Sequence, residues 1–190
     1  MLTLASRSPQ RRAILEQLGV DITVVPADVE EEASGEPRWL VVENALRKAR
    51  AVAQAEGPGV GALAPGDRVL GVDTDVVLDG DVFGKPADVE EAAALLRRLS
   101  GRTHEVWSGI ALLADGGEQT ASAVTRVRFR DVGEPELRWY LASGEWRDRA
   151  GGYAIQGRGA ALVEAIDGDF WNVVGLPLPE LLRLAPDLAR

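Results

Sequence analysis

The chain has no cysteine, one histidine and only 5% aromatic residues. Each shortage closes off a class of chemistry. Without cysteine there is no disulfide, no thiolate metal site and no thiol nucleophile. With His104 as the single histidine, a two-histidine zinc site is excluded. A catalytic metal must then rest mainly on oxygen donors, which favours Mg²⁺ or Mn²⁺. Positive charge is also in the minority: 21 Lys and Arg against 30 Asp and Glu give a net charge of -9. No long basic stripe is available to neutralise a phosphate backbone, so no nucleic-acid partner is expected. A small anionic ligand is still admitted, because a few local cations prevail over a diffuse negative surface at short range. No apolar run approaches the roughly 18 residues of a membrane span. Arg7, Arg11 and Arg12 arrive before any signal-peptide core. A cytoplasmic protein with no membrane partner is expected.

What is present is the material of a globular protein. The 190 residues are 46% hydrophobic and 27% charged, enough for one sizeable core or a core divided into two lobes. "MLTLAS" reads as a short strand and "SPQRRAILEQLG" as a helix capped by Ser8, opened by Pro9 and ended by Gly19. Residues 20 to 26 read as a second strand, followed by the acidic loop "DVEEEASGEP". From Arg38 to Glu56, Val42, Leu46, Ala49 and Ala53 share one helical face. "GPGVGALAPGD" is a Gly/Pro-rich loop. "RVLGVD" is a buried-type strand, "VVLDGDVF" a hairpin turning at Asp79-Gly80, and "DVEEAAALLRRLSG" a helix capped by Asp88. Two long strands flank Asp115-Gly116-Gly117, and a helix begins near Pro135. "GEWRDRAGGYAIQGRG" reads as a long polar loop, "AALVEAIDGDFWNVVG" as another hairpin, and "LPELLRLAPDL" as a closing helix. Alternating strands and helices with interspersed hairpins predict an α/β fold with a mixed sheet. No repeat and no clean boundary is visible, so residues 1–190 are taken as a single domain.

Several segments hold residues suited to chemistry. In "SRSPQRR", the free N–H groups of a helix N-terminus and two arginines suit a phosphate, although an ordinary capped helix accounts for the same residues. Lys48 falls on the rim of the apolar stripe, beside Val41 and Val52, and opposite Glu43, Arg47 and Arg50. There it either aims its amine into a cleft or snorkels to the surface. Asp73 and Asp75 follow "VLGV", where a buried strand is expected to emerge, the usual place for ligands in open α/β sheets. Turn formation explains Asp79 and Asp81, but not an aspartate continuing a hydrophobic run. A second acidic cluster, "VEEE" at 29 to 32, joins Asp73 and Lys85 as material for a metal-and-phosphate site. His104 reads as a strand residue with a local hydrogen-bond partner, since nothing near Ser108 resembles a nucleophile elbow. In "RAGGYAIQGRG", Tyr153 offers a stacking face and Gln156 a bidentate amide, in what otherwise reads as a flexible surface loop.

The segments "LASRSPQRRAILEQLG", "VVENALRKAR", "GVDTDVVLDGDVFGKP", "LSGRTHEVWSGIAL" and "GEWRDRAGGYAIQGRGAALVEAIDGDFWNVVGLPL", in this order, resemble the Maf family of nucleoside triphosphate pyrophosphatases. The resemblance implies an elongated, two-lobed Maf/ITPase-like fold with a central cleft and a divalent cation. It also implies hydrolysis of a nucleoside triphosphate to monophosphate and pyrophosphate. It places the family's serine motif on Ser6 and Ser8, an arginine on Arg11, the acidic loop residue on Glu31, and lysines on Lys48 and Lys85. The catalytic base falls on Asp73, and the cation on Glu31 and Asp73. Three positions that track base choice fall on Gln10, Thr74 and Gln156. Thr74 and Gln156 match the members that prefer UTP and dTTP, whereas Gln10 replaces their arginine and implies relaxed base specificity. House-cleaning of non-canonical nucleotides and a homodimer both stay open. So do two other activities: a haloacid-dehalogenase-type phosphatase using Asp73, and a non-catalytic nucleotide sensor of cell division.

Overall fold

Leu2, Leu4 and Ala5 are buried, and the strand they form, β1 (Leu2–Ala5), lies between two parallel neighbours. Such a strand is covered on both faces and needs a continuous apolar run rather than an alternating one. Its partners are β2 (Ile22–Val24) and β3 (Arg68–Leu78), with Leu4 level with Val24 and Leu70. Between β1 and β2 runs α1 (Pro9–Gln17), where the Ser8 side chain accepts the Arg11 N–H and Pro9 occupies the first turn. Gly19 leaves that helix with φ 74°, a conformation that glycine adopts without a Cβ penalty. The computed structural model describes residues 1–55, 65–114 and 117–189. Most of the Gly/Pro-rich loop expected at 57–67, and Asp115 and Gly116 of the expected turn, lie outside the described residues.

The remaining elements are α2 (Pro37–Gln54), β4 (Asp81–Phe83), α3 (Val89–Leu99), β5 (Thr103–Ala114), β6 (Gly117–Phe129), α4 (Glu134–Leu141), β7 (Val163–Asp167), α5 (Phe170–Val174) and α6 (Leu178–Leu184). The strands pair in the order β2–β1–β3–β5–β6–β7 with β4 beside β3, a seven-stranded mixed sheet with helices between the strands. The α/β class and mixed sheet expected from the sequence are therefore present. The residues group into two compact units. The first comprises Met1–Asp73, Ser108–Ala123 and Gly175–Arg190, and the second Thr74–Trp107 and Val124–Val174.

In the first unit, α2 packs on β3 and β5 by close backbone approach. A Cβ at Gly71 would overlap the Ala45 carbonyl and lie 2.9 Å from the Ala49 nitrogen, and a Cβ at Gly109 would overlap the Val41 carbonyl. Glycine is therefore required at both positions for steric reasons. Ala5, Ala45, Ala49, Val52, Val69 and Ala111 fill the space between these elements. The buried stripe of α2 runs through Val41, Asn44, Ala45, Lys48, Ala49 and Val52, whereas Val42, Leu46 and Ala53 are only half-buried. Lys48 thus stands in the middle of the buried face, not on its rim.

The second unit has a larger apolar core, built from Val76, Leu96, Leu99, Phe129, Tyr140, Tyr153 and Leu162 among others. The hairpin expected at Asp79-Gly80 is there, with φ 54° and 87° at its two central residues. Asp88 caps α3 by accepting the Glu91 N–H at 2.8 Å. The hairpin expected over 160–175 is not formed. β7 instead pairs antiparallel with β6, and the chain turns at Gly168 (φ 131°) into α5. There Asp169 accepts the Trp171 N–H at 2.9 Å, a local cap that competes with a strand.

Candidate active site

β3 does not end at Asp73. It continues through Thr74 and Asp75 to Leu78, so Asp73 lies mid-strand, 6% exposed, rather than at an emerging strand end. A buried carboxylate in that position must be paired and hydrogen-bonded. Lys48 supplies the pairing: its Nζ donates to Asp73 Oδ1 at 2.6 Å, and the lysine is itself 9% exposed. The same ammonium pairs with Glu31 Oε1 at 3.0 Å, and the Glu31 side chain is half exposed. One cation thus faces two carboxylates, buried on the Asp73 side and open to water on the Glu31 side. The cluster keeps a net negative charge.

A residue that sequence reasoning missed holds this cluster together. Asn44, 2% exposed, donates from Nδ2 to Asp73 Oδ2 at 3.2 Å and to the Glu32 carbonyl at 3.0 Å. Its Oδ1 accepts the Glu32 N–H at 2.8 Å. One amide therefore ties the acidic loop to the strand that carries Asp73, and each oxygen of that carboxylate has its own donor. The signal was legible in principle, because Asn44 is a polar residue four positions before Lys48 on the same helical face. Arg47 strengthens the loop from the outer side, pairing with Glu43 at 2.9 Å and Glu32 at 2.5 Å. Both pairs are accessible and fix geometry more than they stabilise.

The serine segment is built around Arg11. Its Nε donates to the Gly175 carbonyl at 2.9 Å, and its Nη1 donates to Ser6 Oγ at 3.0 Å and to the Val72 carbonyl at 2.9 Å. Arg11 consequently braces the start of α1 against the residue preceding Asp73. Ser6 Oγ also accepts the Ser8 N–H at 3.2 Å, and Ser8 Oγ donates to Gln10 Oε1 at 3.0 Å. The amide oxygen of Gln10 is thereby turned toward Ser8.

The first unit therefore brings together Ser6, Ser8, Gln10, Arg11, Glu31, Lys48 and Asp73. Thr74, Lys85 and Gln156 belong to the second unit. Thr74 is half-buried in β3, Lys85 is exposed after β4, and Gln156 is exposed in a segment whose preceding residues are buried. That segment is not the loose polar loop expected: Gly151, Gly152, Tyr153, Ala154 and Ile155 are all buried. His104 has the local partner expected of it, with Nε2 2.9 Å from the Tyr153 hydroxyl. Burial pulls its imidazole down to about 4 and pushes the Tyr153 phenol well above its usual range. His104 is thus a neutral core residue and no candidate for acid-base work.

The family description Maf-like protein matches residues 1–188. The chain belongs to the Maf family. A dTTP/UTP pyrophosphatase of Symbiobacterium thermophilum is 46% identical over 185 residues, covering 96% of this chain and 91% of that protein. Proteins of the same name from Dictyoglomus thermophilum and Pyrococcus furiosus are 43% and 41% identical, each alignment covering 96% of this chain and 93% of the relative. Among solved structures, the Staphylococcus aureus Ham1 protein aligns with a TM-score of 0.46 and 18% identity, covering 68% of this chain and 72% of that one. A likeness of that size says nothing about activity.

Proposed function

We propose that this Maf-family chain hydrolyses nucleoside triphosphates between the α and β phosphates, releasing nucleoside monophosphate and pyrophosphate, with a lean toward UTP and dTTP. The observation that carries the reading is the Lys48 ammonium held by Asp73 and Glu31, in a chain 41% to 46% identical to proteins named dTTP/UTP pyrophosphatase.

Asp73 is the base. Asn44 and Lys48 together occupy two of the roughly four acceptor sites of its carboxylate, which leaves lone pairs for a water proton and fixes their direction. Water oxygen attacks the α phosphorus, its proton passes to Asp73, and the bond from that phosphorus to the bridging oxygen breaks with pyrophosphate carrying the electron pair. Ser6, Ser8, Arg11 and the α1 N-terminus bind the phosphates, with Lys85 as a further cation.

A divalent cation fits the donor set. Glu31 and Asp73 are oxygen donors that already converge on one positive charge, and the cluster is net negative. Among the described residues no group of three or more acidic, His or Cys side chains forms a closed cage. That pattern suits Mg²⁺ or Mn²⁺, which take one or two carboxylates and complete their shell with water and substrate phosphate. When bound, the cation supplies charge neutralisation on the phosphates and a more acidic water. Gln10, Thr74 and Gln156 are assigned to the base.

Incubation with UTP and Mg²⁺, followed by phosphorus NMR, tests the reaction. UMP and pyrophosphate are expected in equal amounts, with no early orthophosphate and with EDTA stopping turnover. Early orthophosphate or a phosphorylated aspartate would replace this reading with that of a phosphatase. Activity on at least one other nucleoside triphosphate is expected, within ~1,000-fold of UTP in kcat/KM.

A further inference from the structure

Gln156 is exposed, yet the chain on either side of it is held, and the two sides are held by different means. Upstream, the apolar core does it. Tyr140, fully buried, accepts the Ala154 N–H at 3.0 Å, and Tyr153 is locked by His104 and Phe129. Downstream, Gly157 and Arg158 are exposed; the Gly157 N–H donates to the Ala154 carbonyl at 3.0 Å, closing a turn over Gln156, and beyond that turn the hold is a carboxylate. Glu145 Oε2 accepts the Arg158 N–H at 2.7 Å, a charge-assisted bond to backbone. The same carboxylate lies against Gly157, where an added Cβ would come 2.8 Å from Glu145 Cδ. Glu145 is itself placed by the end of α4: its N–H donates to Ser143 Oγ at 3.1 Å, and Ser143 Oγ donates to the Tyr140 carbonyl at 2.6 Å. The buried Trp146 follows directly.

The end of α4 thus grips the chain before Gln156 through Tyr140 and after it through Glu145. An exposed glutamine discriminates between bases only if its amide plane is fixed, because a rotating amide presents donor and acceptor interchangeably. We propose that Glu145 is a specificity-positioning residue, whose carboxylate fixes residues 157 and 158 and so sets the orientation in which Gln156 meets the base; this rests on the reading of Gln156 as a base contact. Glycine at 157 belongs to the same device. A Cβ there displaces the flexible carboxylate rather than the backbone, and the Arg158 N–H loses its acceptor.

The test is kcat/KM for UTP and ATP in the full chain, with kcat measured separately, in wild type, Glu145→Ala, Glu145→Gln, Gly157→Ala, Glu145→Ala/Gly157→Ala and Gln156→Ala. Glu145→Ala should lower the UTP-to-ATP preference roughly tenfold through KM, with kcat within about twofold. Glu145→Gln should restore most of the preference, since an amide oxygen accepts the same N–H. Gly157→Ala should match Glu145→Ala, and the double variant should be no worse than either single one. Unchanged preference in Glu145→Ala and Gly157→Ala, beside a collapsed preference in Gln156→Ala, would overturn the role of Glu145 alone. An equal loss of kcat on both nucleotides in Glu145→Ala and Glu145→Gln would also overturn it, by showing a merely structural part. Unchanged preference in Gln156→Ala would instead remove Gln156 as the base contact, and the inference with it.

Discussion

At the scale of single residues, charge balance and hydrogen bonding decide what each side chain can do. Asp73→Asn removes the base but leaves Lys48 with Glu31 as a partner, so the fold should hold while kcat falls ~10²-fold or more. Circular dichroism and initial rates check both halves, and a variant keeping half the wild-type rate would take Asp73 out of the mechanism. Asn44 makes a different prediction. Asn44→Ala leaves the half-buried Glu32 N–H without its acceptor and the buried Asp73 Oδ2 without a donor. A stability loss of ~1–3 kcal/mol is expected by denaturant titration. Turnover should fall as well, because the acidic loop and the base are no longer aligned. Wild-type kcat in a destabilised Asn44→Ala would show that the amide supports the fold alone.

At the scale of elements, α2 is the part that places the site. It brings Asn44 and Lys48 to Asp73 because Gly71 and Gly109 let its backbone lie directly on the strands. Gly71→Ala should force the helix away from β3 and destabilise the protein by ~1–3 kcal/mol or more. It should also lengthen the Lys48–Asp73 contact and lower kcat, without touching any residue assigned to substrate. Gly84→Ala is the matching control: a Cβ there meets nothing within 4 Å, so stability should change by less than ~0.5 kcal/mol. Thermal unfolding of the two variants side by side separates a packing requirement from a general cost of losing glycine.

At the scale of the whole molecule, the loss of stability on mild acidification has an identifiable source in the core of the second unit. His104 is almost fully buried and ionises near 4 when folded, against about 6.5 when unfolded. The unfolded chain therefore takes up the proton first. Stability from this group is complete above about pH 6.5, falls as pH drops, and stops falling below about pH 4. The loss between pH 7 and 4.5 should be about 2–3 kcal/mol, and His104→Phe should abolish that share of it. Glu134 and Glu136, held below the usual carboxylate range by hydrogen bonds from Arg97 and Arg130 respectively, also lose stabilisation on acidification, but equally in both proteins. The measurement is the difference in unfolding free energy between the two pH values for each protein. Equal slopes would show that His104 is protonated in the folded state.

What the sequence alone determined about this protein is what neighbouring residues settle between themselves. Ser8 before Pro9, Asp88 before α3, and Asp79-Gly80 between β3 and β4 act over a few residues, so their types name their structures. Composition narrowed the chemistry in the same way, since a chain without cysteine and with a single histidine offers a cation mainly oxygen donors. The order of the motifs was enough to mark the family. Tertiary structure decided the rest. Lys48 meets Asp73 across 25 positions and Asn44 meets it across 29, because of where α2 lies on β3. Hydrophobic periodicity placed Lys48 on a rim because it treats a charge as outward-facing, whereas pairing with Asp73 makes its burial tolerable. It treated 151–155 as surface loop for a related reason: glycines and a tyrosine carry no periodic signal, and the aromatic core that covers them is assembled from distant segments. Local chemistry wrote the caps and turns, and long-range packing chose which polar groups were buried together.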